Sequence, residues 1–66
     1  MLKKGDLLTA SVDFDNALFF AVALEVWHAG KYVNFGGCIT KHTEEAVYFD
    51  YDDEHYSKQY YQFVVK

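Results

Sequence analysis

Apolar and polar residues alternate along much of this chain. Between Leu7 and Phe14, Leu8, Ala10, Val12 and Phe14 share one side of an extended backbone. Leu7, Thr9, Ser11 and Asp13 share the other. A period of two over that length predicts a half-buried strand. Asp13–Asn16 reads as a turn, because Asp and Asn side chains bond to nearby backbone amides. The next stretch, Ala17–Trp27, is the longest apolar run and is interrupted only by Glu25. As a helix it would be apolar around its whole circumference and would need burial on every side. As a strand it places Leu18, Phe20, Val22, Leu24 and Val26 on one face, with Ala17, Phe19, Ala21, Ala23, Glu25 and Trp27 on the other. The pattern therefore predicts a second strand over Ala17–His28.

Ala29-Gly30 predicts a tight hairpin in which Gly30 supplies a positive φ. Lys31–His42 is the third predicted strand. It is interrupted by Gly36-Gly37, a pairing that marks a bulge or a bend. A fourth strand is predicted over Glu45–Tyr51, followed by a polar stretch, Asp52–Tyr60, in which Asp52 caps a short helical turn. Tyr61–Lys66 is the fifth strand. The expected architecture is all-β and antiparallel, a single domain over residues 1–66. The alternative is α+β, with helices at Asp15–Ala29 and Asp53–Gln62 against a three-stranded sheet.

Gly5-Asp6 opening the first strand, Gly36-Gly37 in mid-sheet and the turn Ser57–Tyr60 before the last strand give a layout that resembles the SH3-like small β-barrel. The resemblance covers most of the chain and is one of superfold, with no specific motif. It implies a barrel whose function sits in its loops and on one aromatic face. Fold alone licenses no activity.

Composition changes this picture in two ways. A chain of 66 residues has a thin stability margin, and a single cysteine, Cys38, allows no internal disulfide, which suits a reducing compartment. Aromatic residues make up 20% of the chain and supply large burial per residue in its place. The formal net charge is −4, and every basic residue is a lysine. Without arginine and with an acidic balance, recognition of nucleic acid through phosphate neutralisation is disfavoured. Met1-Leu2-Lys3-Lys4 leads into Gly5-Asp6 rather than an apolar segment, and Ala17–Trp27 is too short to span a bilayer as a helix. The expectation is a soluble, cytoplasmic protein that does not engage membranes.

Acids and aromatics concentrate together in Glu44–Phe63. Tyrosine combines an apolar body with a polar tip, which suits recognition surfaces. The candidate partner-binding residues are Tyr48, Asp50, Tyr51, Asp52, Asp53, Glu54, Tyr56 and Tyr60. The expected function is a small acidic protein-binding module that occupies a basic surface of its partner, in the manner of an inhibitor. Two alternatives use the same rings. One is a cage of tyrosines and a carboxylate around a cation. The other is a base-stacking platform of Tyr32, Tyr48 and Tyr60 beside Lys31, Lys41 and Lys58, which ranks lower because the aromatic half is also the acidic half. The plain alternative is that Phe49, Tyr61 and Phe63 are core and the acids are solvated turn residues. Trp27 and Phe19, on the lighter face of the long strand, offer a homodimer contact.

Chemistry beyond binding has little support. Asp13-x-Asp15 and Asp50-x-Asp52-Asp53-Glu54 lack the spacing of a calcium loop. His28, His42 and His55 are dispersed, so no metal and no cofactor is expected. Cys38 and His42 on one extended strand would stand about 13 Å apart, too far for a nucleophile and its base. A chain this small has little room for a water-excluding pocket, and the expectation is a non-enzyme.

Overall fold

The computed structural model describes residues 2–51 and 54–66. One helix, α1 (Ser11–Phe19), precedes five strands: β1 (Ala23–His28), β2 (Lys31–His42), β3 (Ala46–Phe49), β4 (His55–Ser57) and β5 (Gln62–Val65). The strands form one antiparallel sheet in the order β4-β3-β2-β1-β5. Among the described residues no ladder joins the edge strands β4 and β5, so the sheet is open. The SH3-like barrel implied by the sequence layout is thereby ruled out; an antiparallel sheet of five strands is present as expected, but it is open and preceded by a helix. The α+β alternative also misplaces its helices. Among the described residues the one helix starts and ends earlier than Asp15–Ala29, and β4 lies within 53–62.

The predicted first strand is where sequence and structure part. Leu7 makes only an isolated bridge to Val64, and the chain turns into α1 four residues later. The helix wins because its two ends and its inner face are all satisfied. At the N-terminus the Asp13 carboxylate accepts the backbone amides of Thr9 and Ala10, each at 3.0 Å, groups that a helix start otherwise leaves unpaired. Phe14 and Ala17, three apart, point into the core, and burying Phe14 alone contributes roughly 2–3 kcal/mol. At the C-terminus Ala21 adopts φ 53°. Its amide bonds to Leu18 O, and that of Val22 reaches back to Ala17 O at 2.9 Å. This is a Schellman termination built on alanine where glycine is usual. The turn cuts Ala17–Trp27 in two, so the expected long strand is half helix and half β1. The predicted turn at Asp13–Asn16 lies inside α1.

Asp13 carries the first prediction. Its carboxyl is held below the usual carboxylate range by the Ala10 amide first and the Thr9 amide second, against a small opposing effect of burial. A carboxyl lowered on folding stabilises the protein fully above its unfolded value of about 3.9, and that stabilisation is lost as pH falls through the folded value. Asp13→Ala is expected to lower the urea midpoint at pH 7. Its deficit should shrink as pH drops below about 4, and denaturation curves at pH 7 and pH 3 would measure it.

The hairpin from β1 to β2 matches expectation. Ala29 and Gly30 take φ 50° and 80°, both central residues being positive as a primed turn requires. Strand β2 is longer than its partners and sheds the excess through irregularities in its ladders. Leu24 pairs with Gly37 and Glu25 with Phe35, which leaves Gly36 extra. Val26 and Trp27 straddle Val33, and Thr40 is skipped against β3. Each such insertion raises the local twist. Strand β3 is shorter than the predicted Glu45–Tyr51. Strand β4 (His55–Ser57) lies inside the stretch read as irregular. Asp52, with its expected capping role, lies outside the described residues. Amides of Tyr60 and Tyr61 both bond to Ser57 O, closing the turn that leads to β5.

The core lies between α1 and one face of the sheet. Leu24, Val26, Ile39, Val47, Phe49, Phe63 and Val65 come from the strands, Phe14 and Ala17 from the helix and Leu8 from the lead-in segment. The outer edge of β5 is covered by that segment: Gly5 N donates to Val65 O, Val65 N to Asp6 O and Leu8 N to Phe63 O.

Candidate functional site

The candidate recognition residues are dispersed by the pleat of the sheet. Tyr48 and Tyr56 sit on neighbouring strands but face opposite ways, since Tyr48 pairs with His55 and Tyr56 with the buried Val47. Tyr48 is half-buried on the face away from the helix. Its ring stacks on His55 at 5.2 Å, and the Lys41 ammonium stands 5.1 Å from its centroid. Tyr56 packs on the core side against Phe49 and Tyr61, and its hydroxyl accepts from Asn34 Nδ2 at 3.4 Å. Asp50 is spent on the backbone: Oδ1 accepts the Cys38 amide at 3.0 Å. Tyr51 is 72% exposed, its ring beside that of Phe35. Tyr60 is also exposed, and its carbonyl accepts from His28 Nδ1 at 2.7 Å. Glu54 is exposed, and Asp52 and Asp53 lie outside the described residues.

The other candidates also separate. Cys38 and His42 share β2, but Cys38 Sγ donates to the Ala21 carbonyl and His42 Nε2 donates to Asp15. Trp27 and Phe19 belong to different elements rather than to one strand face. Trp27 lies against Tyr32 and donates to Glu25 Oε1. Among the described residues no group of three or more His, Cys, Asp or Glu side chains converges to hold a metal ion, and no helix is long and apolar enough to cross a membrane.

The largest departure from a water-compatible surface is at the end of α1. Phe19 is 81% exposed and Phe20 56%, their rings meeting edge to face at 4.9 Å. Val12, 58% exposed, lies on the same side of the helix as Phe19. Once Phe14 and Ala17 face inward, steps of 100° per residue carry Val12 and Phe19 to the outside. This was the signal available in the sequence, and it is invisible while the segment is read as strand. Beside the pair is a cleft of about 190 Å³ lined by Leu2, Asn16, Phe20 and Val22. The charges of α1 are all negative: Asp13 and Asp15, with no basic residue in its last turn. The C-terminal end of the helix dipole is therefore left without a compensating cation of its own.

A second group of side chains fastens α1 to the sheet. His42 Nε2 donates to Asp15 Oδ1 at 2.7 Å, while its Nδ1 faces the Lys58 ammonium at 3.1 Å. The same ammonium stands 4.2 Å from the centre of the Phe14 ring. Burial pushes the Lys58 amine below its ordinary range, with Asp15 and then Glu44 acting in the opposite direction.

No family model, curated protein or solved structure matches this chain.

Proposed function

We propose that the protein is a small acidic binding module that docks onto another protein through the Phe19–Phe20 end of α1. The observation that carries this reading is the exposure of two adjacent phenylalanines at a helix end. Exposed large apolar groups grouped in this way are costly in water and mark contact surfaces. The two rings are already packed against each other, so little side-chain freedom is lost on binding. The partner this end fits has an apolar groove to receive the rings and an apolar side chain to enter the cleft at Phe20 and Val22. A basic rim on the partner would answer Asp13, Asp15 and the negative end of the helix. The net charge of −4 adds long-range attraction to such a rim.

The test replaces Phe19 with a photo-crosslinking phenylalanine and compares wild type with Phe19→Ser and Phe20→Ser. Crosslinking in host lysate should give one protein adduct. Binding of that protein should fall roughly 30-fold or more in the serine variants, as expected for a hot-spot anchor. Association should slow as salt rises. Circular dichroism should be unchanged in Phe19→Ser, because Phe19 contributes little to the core. Equal binding by Phe19→Ser and wild type would overturn the assignment.

A further inference from the structure

We propose that Lys58 is a reactive amine that condenses with a small uncharged aldehyde to form an imine, with His42 as the acceptor of the proton it gives up and Asp15 as the residue that positions His42. A carboxylate can only accept, so the 2.7 Å contact to Asp15 Oδ1 places a proton on His42 Nε2. In the neutral ring that leaves Nδ1 with a free lone pair, and the lone pair faces Lys58 Nζ at 3.1 Å. A proton leaving the ammonium therefore has an acceptor already in contact. The resulting imidazolium is held against the Asp15 carboxylate. This is the arrangement that activates a nucleophile through an oriented base. Partial burial also disfavours the charged amine, against the opposing pull of Asp15 and Glu44.

Lys58 is only partly buried. Lys58 lines an open depression together with Glu44, Glu45, Ser57 and Gln59. The two carboxylates at its rim repel anionic electrophiles such as acyl phosphates and leave an uncharged carbonyl compound as the class that fits. The step balances without a redox partner. The free amine of Lys58 attacks the carbonyl carbon, a C–N bond forms as the C=O π bond breaks, and the oxygen takes the proton that the attacking nitrogen gives up. The proton on His42 then leaves with the hydroxyl as water, and a C=N bond remains. The charged and titratable groups facing the amine are Asp15 from α1, His42 from β2, and Glu44 and Glu45 from the turn before β3.

The experiment treats the intact chain with propanal and cyanoborohydride at pH 7, stops at low conversion and maps the reduced adducts by mass spectrometry. Lys58 should be labelled several-fold faster than Lys31, because its proton has an acceptor already in contact. Its rate should level off at a pH below the ordinary lysine range. His42→Phe should remove most of this advantage and leave the Lys31 rate unchanged. Asp15→Asn, at a largely exposed position that does not contribute to the core, should reduce it even if His42→Phe fails to fold. Labelling of Lys58 no faster than Lys31 in the wild type would overturn the proposal, as would an advantage that survives both substitutions.

Discussion

Phe63→Ala is expected to leave much of the protein unfolded at 25 °C. Phe63 is 1% exposed and is where helix and sheet meet. Its ring is 5.6 Å from Phe14, edge to face, and 6.0 Å from Phe49. Truncating a buried phenylalanine to alanine costs about 3–5 kcal/mol through lost burial and the cavity left behind. A chain of this length has a total stability of roughly 3–10 kcal/mol, so the loss removes a large part of it. At the lower end nothing remains. Loss of near-ultraviolet dichroism and a non-cooperative urea curve would report the effect. Phe63→Leu keeps most of the volume and should stay folded with a reduced midpoint. A Phe63→Ala protein with the wild-type midpoint would mean that this ring is not the joint between the layers.

The second large effect is expected at Gly37. Its φ of 87° lies where an L side chain costs about 1–2 kcal/mol. Space is also closed there: a Cβ added at Gly37 would stand 2.5 Å from Asp50 Oδ1 and 2.9 Å from Tyr51 Cβ. Asp50 cannot simply retreat, because its carboxylate holds the Cys38 amide. Gly37→Ala should therefore cost about 3 kcal/mol, the sum of backbone strain and displacement of a hydrogen-bonded neighbour. Gly30→Ala is the control. It has a similar φ of 80° but nothing within 4 Å of the added carbon, so only the conformational part, about 1 kcal/mol, should appear. Urea midpoints at a constant m-value would separate the two. Equal losses at both positions would show that crowding at the β2 bulge contributes nothing.

These two sites also show what could be read in the chain before its structure. The hairpin at Ala29-Gly30, the strand Lys31–His42 and the irregularity at Gly36-Gly37 were legible, because each rests on local backbone chemistry. The helix was not, for three identifiable reasons. Its N-cap, Ala10, has no side-chain oxygen, and the cap comes from Asp13 inside the helix. Its terminator is Ala21 where glycine would have been the signal. Its first residues happen to alternate, yet Val12 in that alternation is exposed and only Leu8 and Phe14 are buried. Strand β4 escaped because His55-Tyr56-Ser57 is too short to show a period. Of the candidate recognition residues, Tyr51 and Tyr60 are exposed, while Tyr56 is drawn toward the core by its pairing with Val47. The contact between His42 and Lys58 left no trace in the sequence. The two residues come from segments separated by β3 and β4, and only the fold brings them together.

The place of β5 in the sheet governs when this molecule can become itself. The strand follows all the others in the chain, yet it pairs with β1, the earliest of them, and its other side binds the segment before α1. During synthesis the lead-in, helix and first hairpin emerge without the strand that joins them, and Phe14 and Leu24 have no Phe63 or Val65 to pack against. The cooperative unit is therefore completed by its last strand. Until then the half-made chain shows the apolar faces of β1 and α1 to its surroundings, a period in which capture by a chaperone competes with aggregation.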